Sequence, residues 1–77
     1  MKIEILGTGC PKCKKLYENT LAAVQTSGVS VQVEKIEDME KIINYGVLST
    51  PAIAIDGIIK SAGKLLSLDE IKALISK

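Results

Sequence analysis

The chain has no histidine, tryptophan or phenylalanine among its 77 residues, and its aromatic residues are two tyrosines, Tyr17 and Tyr45. Without histidine, and with only two thiols, a tetrahedral zinc site would have to borrow carboxylates or a second chain. Arginine is also missing. Every basic residue is a lysine, the net charge is +1, and both signs of charge are mixed along the chain. That balance implies no nucleic-acid partner and no anionic membrane. No apolar run approaches the length that spans a bilayer. The first apolar run stops at Gly7, too early for the apolar region of a signal peptide. A cytoplasmic protein without a membrane segment is the expectation.

Cysteine is scarce as well, and its scarcity is informative. A small secreted domain stapled by disulfides usually has several well-separated pairs. Here Cys10 and Cys13 are the only pair. A bridge between them closes a loop of about four residues, for which the chain-entropy estimate is roughly 2 kcal/mol, less than half that of a long loop. It would be a weak staple. The length fits one domain spanning residues 1–77, near the lower limit for a chain that folds on its core alone.

What is present centres on Gly7-Thr8-Gly9-Cys10-Pro11-Lys12-Cys13, between a strand-like run and a long helical pattern. A thiol at a helix mouth meets unpaired backbone N–H groups and the partial positive charge of the helix N-terminus. Both favour thiolate over thiol and turn a sluggish side chain into a nucleophile. Pro11 suits the first helical position, where its missing N–H has no intrahelical partner to lose. Lys12, Lys14 and Lys15 add positive charge nearby. The stretch reads as a redox-active dithiol.

The flanking pattern supplies a scaffold. Ile3, Ile5 and Leu6 make a short strand, and Cys13, Leu16, Tyr17, Thr20 and Val24 recur at helical spacing until Gly28 closes the helix. Val29, Val31 and Val33 alternate with polar residues, as in a strand with one covered face. Strand, helix, strand makes a βαβ unit, with its two strands parallel and joined by a right-handed crossover. A short helix starting near Asp38 is expected to turn Met39, Ile42 and Ile43 inward and to end at Gly46. Pro51 opens a strand over Ala52 to Ile55, a position where proline is tolerated. Asp56-Gly57 is a hairpin signal, Ile58-Ile59 continues the return strand, and Gly63 ends it. Ser67-Leu68-Asp69-Glu70 has the capping-box pattern of a last helix that carries Leu68, Ile71, Leu74 and Ile75 on one face. The expected fold is α/β, in the order β-α-β-α-β-β-α, with a four-stranded mixed sheet flanked by three helices.

At this level the chain resembles the thioredoxin superfamily. The resemblance rests on Cys10-Pro11-Lys12-Cys13 between strand and helix, on Tyr45-Gly46-Val47-Leu48-Ser49-Thr50-Pro51 as helix end, loop and strand start, and on Gly57 and Gly63. The short length and the Gly-x-Gly-Cys lead-in are most similar to small thioredoxin- or glutaredoxin-like redox-active disulfide proteins, which lack the first β-α element of full thioredoxin. Two departures stand out. Gly9 occupies the place of the family's tryptophan, and Pro-Lys between the cysteines is neither Gly-Pro nor Pro-Tyr.

The resemblance implies a thiol–disulfide oxidoreductase, a monomer, whose redox group is the Cys10–Cys13 disulfide with no further cofactor. Its partners would be disulfide-containing proteins and an upstream donor, either a flavin thioredoxin reductase or glutathione. Cys10, at the cap, would attack; Cys13, one turn on and facing the core, would resolve the mixed disulfide. Pro11 would stiffen the turn and Lys12 would favour the thiolate. A cis Thr50–Pro51 bond, as the family implies, would turn the Thr50 backbone toward Cys10 to pair with an extended substrate, and Pro51 would keep metal ions from the thiols. Glu4, six residues before Cys10, stands at the separation where thioredoxins carry a buried acid that helps deprotonate the resolving cysteine. Two other readings use the same pair: a metallochaperone-like module, and an interaction domain with inert cysteines. Metallochaperone domains run β-α-β-β-α-β instead, usually with Met shortly before the first cysteine, where this chain has Gly7-Thr8-Gly9.

Overall fold

Ile3, Ile5 and Leu6 carry more apolar surface than a solvated segment tolerates. In the computed structural model, which describes residues 1–28 and 30–75, all three are buried in β1 (Lys2–Leu6). The chain continues through α1 (Pro11–Ser27), β2 (Gln32–Ile36), α2 (Met39–Asn44), β3 (Ala52–Ile55), β4 (Ile58–Ala62) and α3 (Leu68–Ile75). The strands form one mixed sheet in the order β2-β1-β3-β4. β1 pairs parallel with β2 and antiparallel with β3, and β3 pairs antiparallel with β4. β1 and β3 are therefore central, and every residue of β3 is buried.

Strand alternation divides the core between the two faces of the sheet. Ile3, Ile5, Ile53 and Ile55 meet Leu16 and Ala23 of α1 and Ile71 and Ile75 of α3. Leu6, Ala52 and Ala54 face the other way, toward Ile36, Ile42 of α2, and Val47. Local signals set the ends of the elements. Gly28 closes α1 in the left-handed conformation, its N–H donating to Val24 O. Asp38 caps α2 by accepting from Glu40 N–H at 2.9 Å. Asp56 and Gly57 turn the β3–β4 hairpin with positive φ of 52° and 83°. Ser67 and Glu70 close a reciprocal capping box, Ser67 N–H donating to Glu70 Oε1 at 3.0 Å and Glu70 N–H to Ser67 Oγ at 3.2 Å.

Two expectations need correcting. Met39 and Ile43 do not turn inward: they are 56% and 63% exposed, and only Ile42 is buried. A helix of six residues has fewer than two turns, so a single side chain points squarely at the sheet. Ile43 lies about 100° further round the helix. The second strand also starts later than the valine alternation implies. Its pairing opens with Gln32 opposite Lys2, where Gln32 N–H donates to Met1 O at 3.2 Å, because the register of β1 fixes where β2 can begin. Val31 and Val33 still pack against the α1 face, and Val29 lies outside the described residues.

Leu16 is completely buried between α1, β1 and α3. Replacing it with alanine is expected to destabilise the fold by about 3 kcal/mol. Urea unfolding checks this as a lowered midpoint with an unchanged slope.

Candidate active site

Beyond Leu6 the chain must leave the sheet and start α1 within a few residues. Gly7 N–H donates to Ile36 O at 3.0 Å, which extends the β1–β2 ladder by one residue. A side chain at Gly7 would have no room: a Cβ there would lie within 2.9 Å of Cys13 Cβ and closer still to its Sγ. The absent side chain is the seat on which Cys13 rests.

Cys10 is the N-cap of α1, with extended backbone (φ −67°, ψ 161°), and Pro11 follows in the first turn. Lys14 N–H donates to Cys10 O at 3.0 Å, and Cys13 N–H donates to Cys10 Sγ at 3.1 Å. The sulfur thus takes the place usually held by a Ser or Asp oxygen, accepting one of the four orphan amides of the helix start. Cys10 and Cys13 are joined as a disulfide, with Cα atoms 5.0 Å apart. Their exposures differ: Cys10 is half-buried, whereas Cys13 is 5% exposed. Pro11 and Lys12 are both exposed.

The loop before β3 approaches from the other side. The Thr50–Pro51 peptide bond is cis, Thr50 is exposed and Pro51 is buried. A Cβ on Gly7 would lie 3.9 Å from Thr50 Cβ, so Thr50 stands beside the seat of the cysteine pair. The far end of β4 clamps this loop. Gly63 N–H donates to Pro51 O at 2.8 Å, and with φ of +75° a side chain at Gly63 would run into Ser49 Cβ.

Glu4 is not brought to the cysteines. It is two residues before Leu6 on β1, so it faces the α2 side of the sheet, whereas Cys13 rests on the side of Ile5 and Gly7. There Glu4 accepts a hydrogen bond from the Tyr45 hydroxyl. That bond, then burial, then the nearby Glu4 and Glu34 carboxylates raise the Tyr45 phenol above its ordinary 10.0. Counting back from Cys10 gave the separation along the chain but not the face. Tyr45 is partly buried against the α2-side core, so it packs there as well as bonding Glu4.

Two charged residues that share the Cys13 side, Lys35 and Glu37, went unnoticed in the sequence. A cavity of about 20 Å³ behind Cys13 is walled by Ile5, Gly7 and Gly9 and by the charged residues Lys14, Lys35 and Glu37. Glu37 Oε2 lies 3.6 Å from where a Gly9 Cβ would be. The signal was available: in a parallel β1–β2 pair, the residue after Ile36 comes opposite the residue after Leu6. Among the described residues, no three Cys, Asp or Glu side chains gather as a metal-binding group, and no helix is long and apolar enough to cross a membrane.

A family model of the thioredoxin domain matches residues 1–76. The chain is 41% identical to a thioredoxin of Methanothermobacter thermautotrophicus, across 99% of both chains. It is 43% identical to a thioredoxin of Methanocaldococcus jannaschii, across 91% of this chain and 80% of that one. A paired-cysteine helix cap on this sheet, with those relatives, defines a thiol–disulfide oxidoreductase. The chain belongs to the thioredoxin family.

The Glu4–Tyr45 bond is open to a direct check. A raised phenol contributes stability that is fully present below the unfolded value of 10.0 and is lost as pH rises through the folded value. Ultraviolet titration of Tyr17→Phe should give a Tyr45 midpoint above 10.0, and adding Glu4→Gln should bring it back toward that value. A midpoint indifferent to Glu4→Gln contradicts the assignment.

Proposed function

We propose that this protein reduces or exchanges disulfides in other proteins, with Cys10 as the attacking thiolate and Cys13 as the resolving thiol. The observation that carries the reading is the asymmetry of the pair. Cys10 Sγ caps the helix, half-buried and receiving the Cys13 N–H, while Cys13 is sealed against Gly7. In the dithiol form the same amide and the helix dipole favour the Cys10 thiolate, and exposed Lys12 adds positive charge.

Cys10 thiolate attacks one sulfur of a substrate disulfide. A Cys10–substrate disulfide forms, the substrate's own S–S bond breaks, and one thiolate leaves. Cys13, as thiolate, then attacks Cys10 Sγ; the intramolecular disulfide forms and the second substrate thiolate departs. The substrate gains two electrons and the dithiol loses them. Pro11 fixes the backbone between the sulfurs, which holds the attack distance steady between steps.

Thr50 and Pro51 form the substrate platform in this reading. An extended segment pairs with the exposed Thr50 backbone beside Gly7, and the fully exposed Leu48, two residues earlier, offers it an apolar contact. The buried Pro51 ring blocks a bridging ligand from the thiols. The electron donor is a flavin reductase of the thioredoxin reductase kind, or glutathione, acting in the cytoplasm on a monomer, with no cofactor beyond the cysteine pair.

In the reduced protein, Cys10 should alkylate at least about tenfold faster than Cys13 near neutral pH. Cys13→Ser should trap mixed disulfides through Cys10, seen by mass spectrometry. Equal, slow alkylation and no trapped species would count against the reading and in favour of metal binding.

A further inference from the structure

Resolution requires the buried Cys13 thiol to lose a proton at each turnover. The acid that chain separation points to, Glu4, stands on the opposite face of the sheet and is held by Tyr45. We propose that Glu37 is the proton acceptor for Cys13, acting through one water in the small cavity behind the disulfide. The inference rests on the assignment of Cys13 as the resolving thiol.

The cavity volume of about 20 Å³ is room for a single water, which needs polar partners to stay there. Cys13, Lys14 and Glu37, which line the cavity, carry polar groups for it. The titratable groups facing Cys13 are few: Cys10 and Lys14 from its own helix, Lys35 from β2, and Glu37 just beyond β2. β1 contributes only Ile5 and Gly7, which do not titrate. Of the residues that line the cavity with Cys13, Glu37 alone carries a carboxyl group, a chemical class that can accept a proton. Lys35 Nζ is held 4.7 Å above the Tyr17 ring. Among the described residues no salt bridge engages Glu37. Its exposure lets it pass the proton on to solvent.

In the proposed step, the Cys13 S–H proton moves to the water and a water proton moves to the Glu37 carboxylate. Cys13 thiolate attacks Cys10 Sγ, the Cys10–Cys13 bond forms, and the Cys10–substrate bond breaks. The substrate leaves as a thiolate and takes its proton from solvent, while Glu37 returns its proton to bulk water. Over the whole turnover the Cys10–Cys13 pair loses two electrons, and the two substrate sulfurs, one released at each exchange, gain them.

Stopped-flow reaction of the reduced protein with dithiobis(nitrobenzoate) separates the two stages, since each sulfur–sulfur exchange releases one coloured thiolate. The first phase reports attack by Cys10 and the second reports resolution by Cys13. Glu37→Gln should leave the first phase unaltered and slow the second at least about tenfold at pH 7. The second phase should then climb with hydroxide until it meets the wild-type rate in alkali, where Cys13 ionises unaided. Glu37→Asp, which keeps the carboxylate, should recover part of the rate; slowing caused by misfolding would slow the first phase as well. A second phase unchanged in Glu37→Gln at every pH, or slowed by Glu4→Gln alone, overturns the role of Glu37. Absence of the first phase in the wild type overturns the exchange reading instead, and this inference with it.

Discussion

The molecule depends on how the first turn of α1 is seated on the end of β1. That seat exists because Gly7 has no side chain: Cys13 occupies the space a Cβ would need. With Cys13 fixed there, Cys10 falls at the N-cap, and its sulfur accepts the Cys13 amide in place of the usual oxygen. One contact therefore decides which sulfur is buried and which can meet a partner. The long apolar stripe of α1 makes the seat rigid, since Leu16 and Ala23 anchor the helix to the β1–β3 centre of the sheet and to α3.

The two faces of the sheet do different work. The α1 and α3 face holds the larger core and, at its upper edge, the cysteine pair with its small polar cavity. The α2 face carries a smaller core and the Glu4–Tyr45 bond. β3 links them, buried along its whole length, and its entry through Thr50 and Pro51 comes beside Gly7. The hydrogen bond from Gly63 to Pro51 ties that entry to the end of β4. The site is thus assembled from the ends of β1, β3 and β4 and the start of α1, each fixed by the sheet rather than by a free loop.

Much of this was legible because it is local. Gly28, Asp38, Asp56-Gly57 and the Ser67–Glu70 box are signals read within a few residues, and the structure uses each of them as such. The order of elements followed from them, and Cys10 and Cys13 were found from spacing alone. What failed was non-local. The exposure of Met39 and Ile43 depends on how little of a six-residue helix can touch the sheet, which helical periodicity does not reveal. The start of β2 depends on its register with β1, and β propensity does not specify register. Glu4 had the right separation from Cys10 and the wrong face, while Glu37, distant along the chain, arrives beside Cys13 through parallel pairing.

The central claim is that the cap position makes Cys10, and not Cys13, the ionised sulfur of the reduced protein. Thiolate absorbance measured against pH in the far ultraviolet tests it most directly. The account predicts one thiolate forming well below the free-thiol value of about 8.5, retained in Cys13→Ser and lost in Cys10→Ser. If both cysteines ionise at or above that value, or if the acidic thiolate survives in Cys10→Ser, the account is contradicted.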